Sequence, residues 1–228
     1  MKKYLILLPF VLASCSGKVT DLKRDGLKRD VKSVTETQCK PTYQEDQWVA
    51  GESIEGQSVS HYSPEGRLLE RFVIDRQGDT TAMVVPRYEN GELVEEVYYS
   101  RMYLPPKHSK LLESTRMILD RVSDKQVNFE EWNGDRLLNQ GAMHFNNRGR
   151  VSRRVQVVDD RQVTFHYLYD KGLLVENYRE ETSGERSGTK LFEYKKFDQK
   201  GNWTECLVYV DQEKIKPDVV ISREMTYY

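Results

Sequence analysis

The sequence predicts an all-β protein: an antiparallel meander of repeated hairpins forming a curved or rolled open sheet, with little helix. Three observations predict it. Apolar residues alternate with polar ones, most cleanly over Gln162–Tyr169, where Val163, Phe165, Tyr167 and Tyr169 share one face. Tyrosine is abundant, at 14 residues, which suits pleated, half-buried surfaces. An aromatic residue, a short polar tip ending in glycine and a following apolar residue recur along the chain.

The recurring unit reads Tyr62 to Gly66 then Leu68, Tyr88 to Gly91 then Leu93, and Trp132 to Gly134 then Leu137. It returns as Phe145 to Gly149 then Val151, Tyr169 to Gly172 then Leu174, and Phe197 to Gly201 then Trp203. Each tip must reverse the chain, which calls for a residue at positive φ, and glycine adopts that conformation without a Cβ clash. Asn90-Gly91 and Asn133-Gly134 are two-residue hairpin signals. The longer tips suit a type I turn closed by a left-handed glycine. The flanking aromatic and apolar residues are expected to pair across the strands, worth roughly 0.2–1 kcal/mol each. That pair also fixes register, since a one-residue slip would turn both residues to the other face.

Further strands follow from the same alternation. Val151, Val155 and Val157 form one face, with Arg153 exposed or at an edge. Trp203, Leu207 and Tyr209 form another, interrupted by Glu205. Val219, Ile221, Met225 and Tyr227 form a third, interrupted by Arg223. Residues 41–56 break the alternation and read as a loop with a short irregular piece. The proline-marked stretch 104–110 is a possible subdomain break. Residues 111–122 have a spacing open to strand or helix, with strand preferred.

The first residues read as an export signal. Met1-Lys2-Lys3 precedes an apolar run, Tyr4–Ala13, too short to span a bilayer as a helix. The domain plan is a signal peptide at 1–14, a solvated tether at 15–30 and one β domain at 31–228. The tether carries an internal echo, LKRD at Leu22–Asp25 and at Leu27–Asp30, whose charges nearly cancel.

Leu12-Ala13-Ser14-Cys15 resembles the lipobox of bacterial lipoproteins. That resemblance implies cleavage before Cys15 and lipidation of its sulfur. Ser16, in place of the Asp that marks inner-membrane retention in enteric lipoproteins, favours the outer membrane in a Gram-negative host. FDQKGNWTECLVY at Phe197–Tyr209 and YLYDKGLLVENY at Tyr167–Tyr178 resemble the YD-type repeats of bacterial surface proteins. A looser resemblance is to MORN-like repeats. Both imply a β meander, and neither implies an activity.

The chemistry-bearing residues are sparse. An exported chain permits a disulfide between Cys39 and Cys206, provided their strands lie close; two half-buried thiols are the alternative. His61, His144 and His166 each precede a repeat turn and could converge on a metal or acid–base site, although half-exposed strand positions account for them more simply. His108 falls in the proline loop. The acidic pairs Glu95-Glu96, Glu130-Glu131, Asp159-Asp160 and Glu180-Glu181 do not supply convergent carboxylates, because neighbouring strand residues point to opposite faces. No zinc, phosphate-loop or nucleophile-elbow motif occurs, and no cofactor is predicted. A formal charge of −1 gives no field for nucleic acid.

The expected role is a lipid-anchored envelope protein, binding or scaffolding an envelope protein or glycan through a broad sheet face, with no defined reaction. Trp48, outside the repeats, is the candidate ligand or partner contact. Free sheet edges would permit strand addition. A hydrolase with an unrecognised site and a structural component of an envelope assembly are the alternatives.

Overall fold

A computed structural model of the chain describes residues 20–28, 30–104, 108–158, 161–210 and 212–228. One short helix, α1 (Asp21–Arg24), precedes fourteen strands among the described residues. In chain order they are β1 (Val31–Gln44), β2 (Gln47–Tyr62), β3 (Leu68–Ile74), β4 (Thr80–Glu89), β5 (Glu92–Leu104), β6 (His108–Ser123) and β7 (Gln126–Asn133). The second half comprises β8 (Arg136–Phe145), β9 (Val151–Val158), β10 (Arg161–Asp170), β11 (Leu173–Glu181), β12 (Arg186–Phe197), β13 (Trp203–Tyr209) and β14 (Val219–Tyr227). Each strand pairs antiparallel with its sequence neighbours, and β14 returns to pair with β1, so the sheet closes into a barrel.

Closure corrects the expected open sheet. Its physical cause lies in the repeat itself. In all six copies the aromatic and apolar residues are register partners: Tyr62↔Leu68, Tyr88↔Leu93, Trp132↔Leu137, Phe145↔Val151, Tyr169↔Leu174 and Phe197↔Trp203. A register shift sits beside every one of these pairs. Bulges bend a strand and raise its twist, so repeating them curls a meander until its ends meet. Gly66, Gly91, Gly134, Gly149, Gly172 and Gly201 all adopt positive φ, as the turn chemistry requires. Closure also removes the free edges expected for strand addition.

Three local expectations change. Residues 41–56, read as a loop, extend β1 and β2, which pair out to Gln44↔Gln47 with register shifts at Thr37/Cys39 and Cys39/Pro41. The strands flanking the proline-marked stretch pair with each other, β5 with β6 from Glu95↔Ile118 to Leu104↔His108, so no subdomain break separates them. Residues 111–122 belong to β6 and are strand.

The segment expected as a solvated tether is, over its described residues, a plug. Thr20 caps α1 by accepting from the Lys23 amide, and Gly26 ends it at φ +76°. The Leu27 amide donates to the Leu22 carbonyl at 2.8 Å and the Gly26 amide to the Lys23 carbonyl at 3.3 Å, a Schellman arrangement. That turn brings Leu22 and Leu27 to one side, where both are buried in the main apolar cluster. The plug closes the mouth at which β1 begins and β14 ends, here the terminal mouth. The turns at Gly66, Gly91, Gly149, Gly172 and Gly201 ring that mouth, whereas Gly134 lies at the far one.

A barrel's interior widens with strand number, and eight strands already leave just enough room for side chains to fill. Fourteen leave more. On the side of β2–β8 the lumen is packed by the plug leucines with Tyr62, Leu68, Leu93, Met117, Leu119, Phe129, Met143 and Phe145. On the side of β9–β14 it is not filled.

Candidate functional site: the lumen cavity

The unfilled half of the lumen is a cavity of about 460 Å³. Its walls come from β9 to β14 and β1, and the plug residues Arg24, Asp25 and Gly26 border it. That volume lies within the range of small-ligand pockets, roughly 300–1,000 Å³.

The wall has two chemistries. Phe165, Tyr167 and Tyr169 of β10, Leu173 and Leu174 of β11, Phe192 and Tyr194 of β12, Trp203 of β13 and Ile221 of β14 supply apolar and aromatic surface. Period-two alternation puts the β10 set inside, as its sequence pattern predicted. Two tyrosine hydroxyls are tied to backbone: Tyr169 donates to the Val151 carbonyl at 3.0 Å and Tyr194 to the Leu174 carbonyl at 2.9 Å. Burial raises both phenols, Tyr169 to about 12, so they remain neutral.

The second chemistry is cationic. Arg24, Arg150, Arg154, Arg179, Lys190 and Arg223 line the cavity, against the carboxylates Asp25 and Glu36. Glu36 and one oxygen of Asp25 are already engaged, whereas Asp25 Oδ1 is buried with no hydrogen-bond partner. Glu36 accepts from Arg223 Nε at 2.9 Å, and Asp25 accepts from Arg71 at 3.1 Å and from the Tyr62 hydroxyl. Arg24 pairs with Asp21 at 2.5 Å. The guanidinium of Arg223 stacks 3.6 Å from the Trp203 ring centre, that of Arg154 4.4 Å from Phe129, and that of Arg150 5.5 Å from Tyr169. Stacking holds these cations without satisfying their N–H donors. Nε and one terminal nitrogen of Arg24, Nε of Arg154 and one terminal nitrogen of Arg223 are buried with no hydrogen-bond partner.

The anchoring of the plug is polar as well. Asp21 accepts from the Leu68 amide at 2.8 Å and from the Tyr88 hydroxyl at 2.6 Å. Buried Asn202 accepts from the Lys28 amide at 2.6 Å and donates to the Lys28 carbonyl at 3.2 Å. Each end of the plug is thereby fixed to a turn of the terminal mouth.

The sequence-predicted candidates fall elsewhere. Cys15 lies outside the described residues. Cys39 and Cys206 are free, buried thiols. Cys39 pairs with Val220, while Cys206 pairs with Ile221 of the same strand, so the two side chains lie on opposite faces. Strand β14 separates their strands, a gap of two interstrand spacings, roughly 9–10 Å, beyond the reach of about 7 Å that bridging needs. Trp48 is on β2 rather than in a loop. Its ring meets Tyr43 edge-on at 4.9 Å and packs on Cys39, Leu207, Tyr209 and Val220 outside the barrel. His61, His144 and His166 are not brought together: they sit on β2, β8 and β10 and alternate outward from lumen neighbours. His61 meets Glu70 at 3.0 Å and His166 meets Glu180 at 3.5 Å. His108 opens β6. Glu95 and Glu96 split across the wall, Glu95 outward to Arg87 at 2.8 Å and Glu96 buried in the lumen.

The expected valine face of β9 is split: Val151 lines the cavity, while Val155 and Val157 alternate outward from Arg154. Arg154 takes the lumen position opposite Phe165. A signal for this existed at β14, where Arg223 interrupts an otherwise apolar inward face. The plug had one too, in its Thr20 cap and Gly26 stop.

The fold and cavity define a plugged antiparallel barrel with a cationic, aromatic lumen. Among solved structures, the chain is similar to a porin-like protein from Bacteroides uniformis, at 10% identity and a TM-score of 0.38, over 86% of this chain and 98% of that one. No family model matches the chain, and no curated protein matches it.

Proposed function

We propose that this protein is a lipid-anchored envelope module that binds a small ligand inside its barrel, rather than a partner on the outer sheet face. The observation that carries the reading is the half-filled lumen: one side is packed tight, and the other keeps a walled cavity of ligand size. Native cores fill such space with side chains unless something else occupies it. Anchoring through Cys15 rests on the LASC motif.

The outer wall supports a barrel held at a membrane rather than inserted in one. His61–Glu70, Arg116–Glu113, Arg87–Glu95 and His166–Glu180 pairs are distributed over it. A lipid-facing wall carries an apolar band about 25 Å tall, where charge is costly.

Uptake of the neutral fluorophore N-phenylnaphthylamine tests the reading. Saturable binding by the wild-type chain, abolished by the cavity-filling substitution Leu174→Trp in a variant with an unchanged thermal transition, is expected. Binding that survives Leu174→Trp, or no binding at all, would overturn it. Changing Cys15 to Ala should release the protein from membranes, and unchanged retention would refute the anchor.

A further inference from the structure

The cavity's charge identifies a ligand class. We infer that the lumen takes an organic anion: an acidic head group received by Arg154, Arg150 and Arg223, with an aromatic or apolar body lying along Tyr167, Tyr194 and Phe192. This inference rests on the lumen-binding reading above and specifies its ligand.

Three observations converge on it. First, the charges do not balance. Once Glu36 is assigned to Arg223, Asp25 to Arg71 and Arg24 to Asp21, no carboxylate among the described residues pairs with Arg150, Arg154 or Lys190. Second, Arg154 and Arg223 are each only 7% exposed, and each retains an unpartnered N–H donor. A buried charge left without a partner is costly, and an incoming anion supplies what is missing. Third, the cations belong to one field. Tyr194 lies within electrostatic reach of both Arg150 and Arg223, and Tyr167 within reach of Arg154. Burial lowers the pKa of Lys190 and of Arg150.

The geometry also selects the body. Planar guanidinium groups receive carboxylates, sulfonates and phosphates through paired N–H donors. Here Arg223 lies against Trp203, Arg154 against Phe129 and, at longer range, Arg150 against Tyr169. An inorganic anion would satisfy the donors but leave the aromatic wall empty. A neutral apolar molecule would cover the wall but strand the donors. Only a molecule with both parts satisfies both.

Two fluorophores sharing one ring system separate the terms: anilinonaphthalene sulfonate, an anion, and N-phenylnaphthylamine, its neutral counterpart. The anion should bind at least about tenfold tighter, the neutral probe remaining the weaker ligand. Arg154→Met and Lys190→Met, each checked for an unchanged thermal transition, should lower the anion's affinity several-fold and leave the neutral probe unaffected. Arg153→Met, the outward neighbour, should change neither. Equal affinity for both probes, unmoved by Arg154→Met and Lys190→Met but lost in Leu174→Trp, would overturn the anionic ligand while sparing the cavity. Loss of neither probe in Leu174→Trp would overturn both readings.

Discussion

The Tyr62 hydroxyl donates to the Asp25 carboxylate, so the aromatic residue of the first repeat grips the plug. Arg71 holds the same carboxylate at 3.1 Å and also donates from Nε to Ser60 at 2.8 Å. One carboxylate therefore ties the N-terminal segment to β2 and β3 together. Asp25→Ala should destabilise the protein by about 3–5 kcal/mol, because it removes the buried counter-charge from Arg71. Urea unfolding checks this, and a loss below about 1 kcal/mol would show that the plug is held by its leucines alone.

Gly66 and Gly134 are the turn glycines of two repeats, but only Gly66 meets the plug. A Cβ at Gly66 would come within 3.0 Å of Leu22 Cδ1 and 3.1 Å of Thr20 Cβ, and φ there is +81°. At Gly134, φ is +54° with nothing within 4 Å. Gly134→Ala should therefore cost only backbone strain, about 1–2 kcal/mol. Gly66→Ala adds the displacement of Leu22 and should cost clearly more. Thermal melts of the two variants compare them directly, and equal losses would contradict the contact between the first turn and α1.

Glu96 makes stability depend on pH. Burial pushes its carboxyl up to about 7 from an ordinary 4.5, although the Tyr98 hydroxyl bonds it at 2.6 Å and Arg71 and Arg24 oppose the rise. Between those values the folded state holds a proton that the unfolded chain releases. Glu96's contribution is thus fully present below about pH 4.5 and is lost as pH rises through about 7, a change on the order of 3 kcal/mol. Glu96→Gln should flatten that part of the stability profile. Melting temperatures measured between about pH 5 and pH 8 test it, and a slope unchanged by the substitution would assign the effect to other groups.

Cys39 and Cys206 should titrate as free thiols once the chain is unfolded without reductant. Burial raises both, Cys206 to about 12, so native alkylation of Cys206 should be slow. Reductant should leave the melting temperature unchanged. A drop on reduction would reveal a bridge and contradict the strand order β1-β14-β13.

Much of the fold is legible in the sequence because its turns are local. Asp198, for example, accepts from the amides of Lys200 and Asn202, and Gly201 closes the tip, all within five residues. Closure is not local. It depends on Ile221 finding Gln38 and Met225 finding Val34 across almost the whole chain. The plug was hidden for the same reason: Asp21 and Asp25 look solvated until Leu68, Tyr88, Tyr62 and Arg71 surround them. Arg223 and Arg154 read as blemishes on strands, because a residue's face shows in the pattern but its partners across a lumen do not.

Methyl-resolved NMR of the full chain, titrated with anilinonaphthalene sulfonate, tests the central claim most directly. The methyl signals of Leu173, Leu174 and Ile221, inside the barrel, should shift and saturate together, while those of Ile118, Leu137 and Leu138 stay in place. Shifts confined to the outer set would place the ligand on the wall and contradict a lumen binding site.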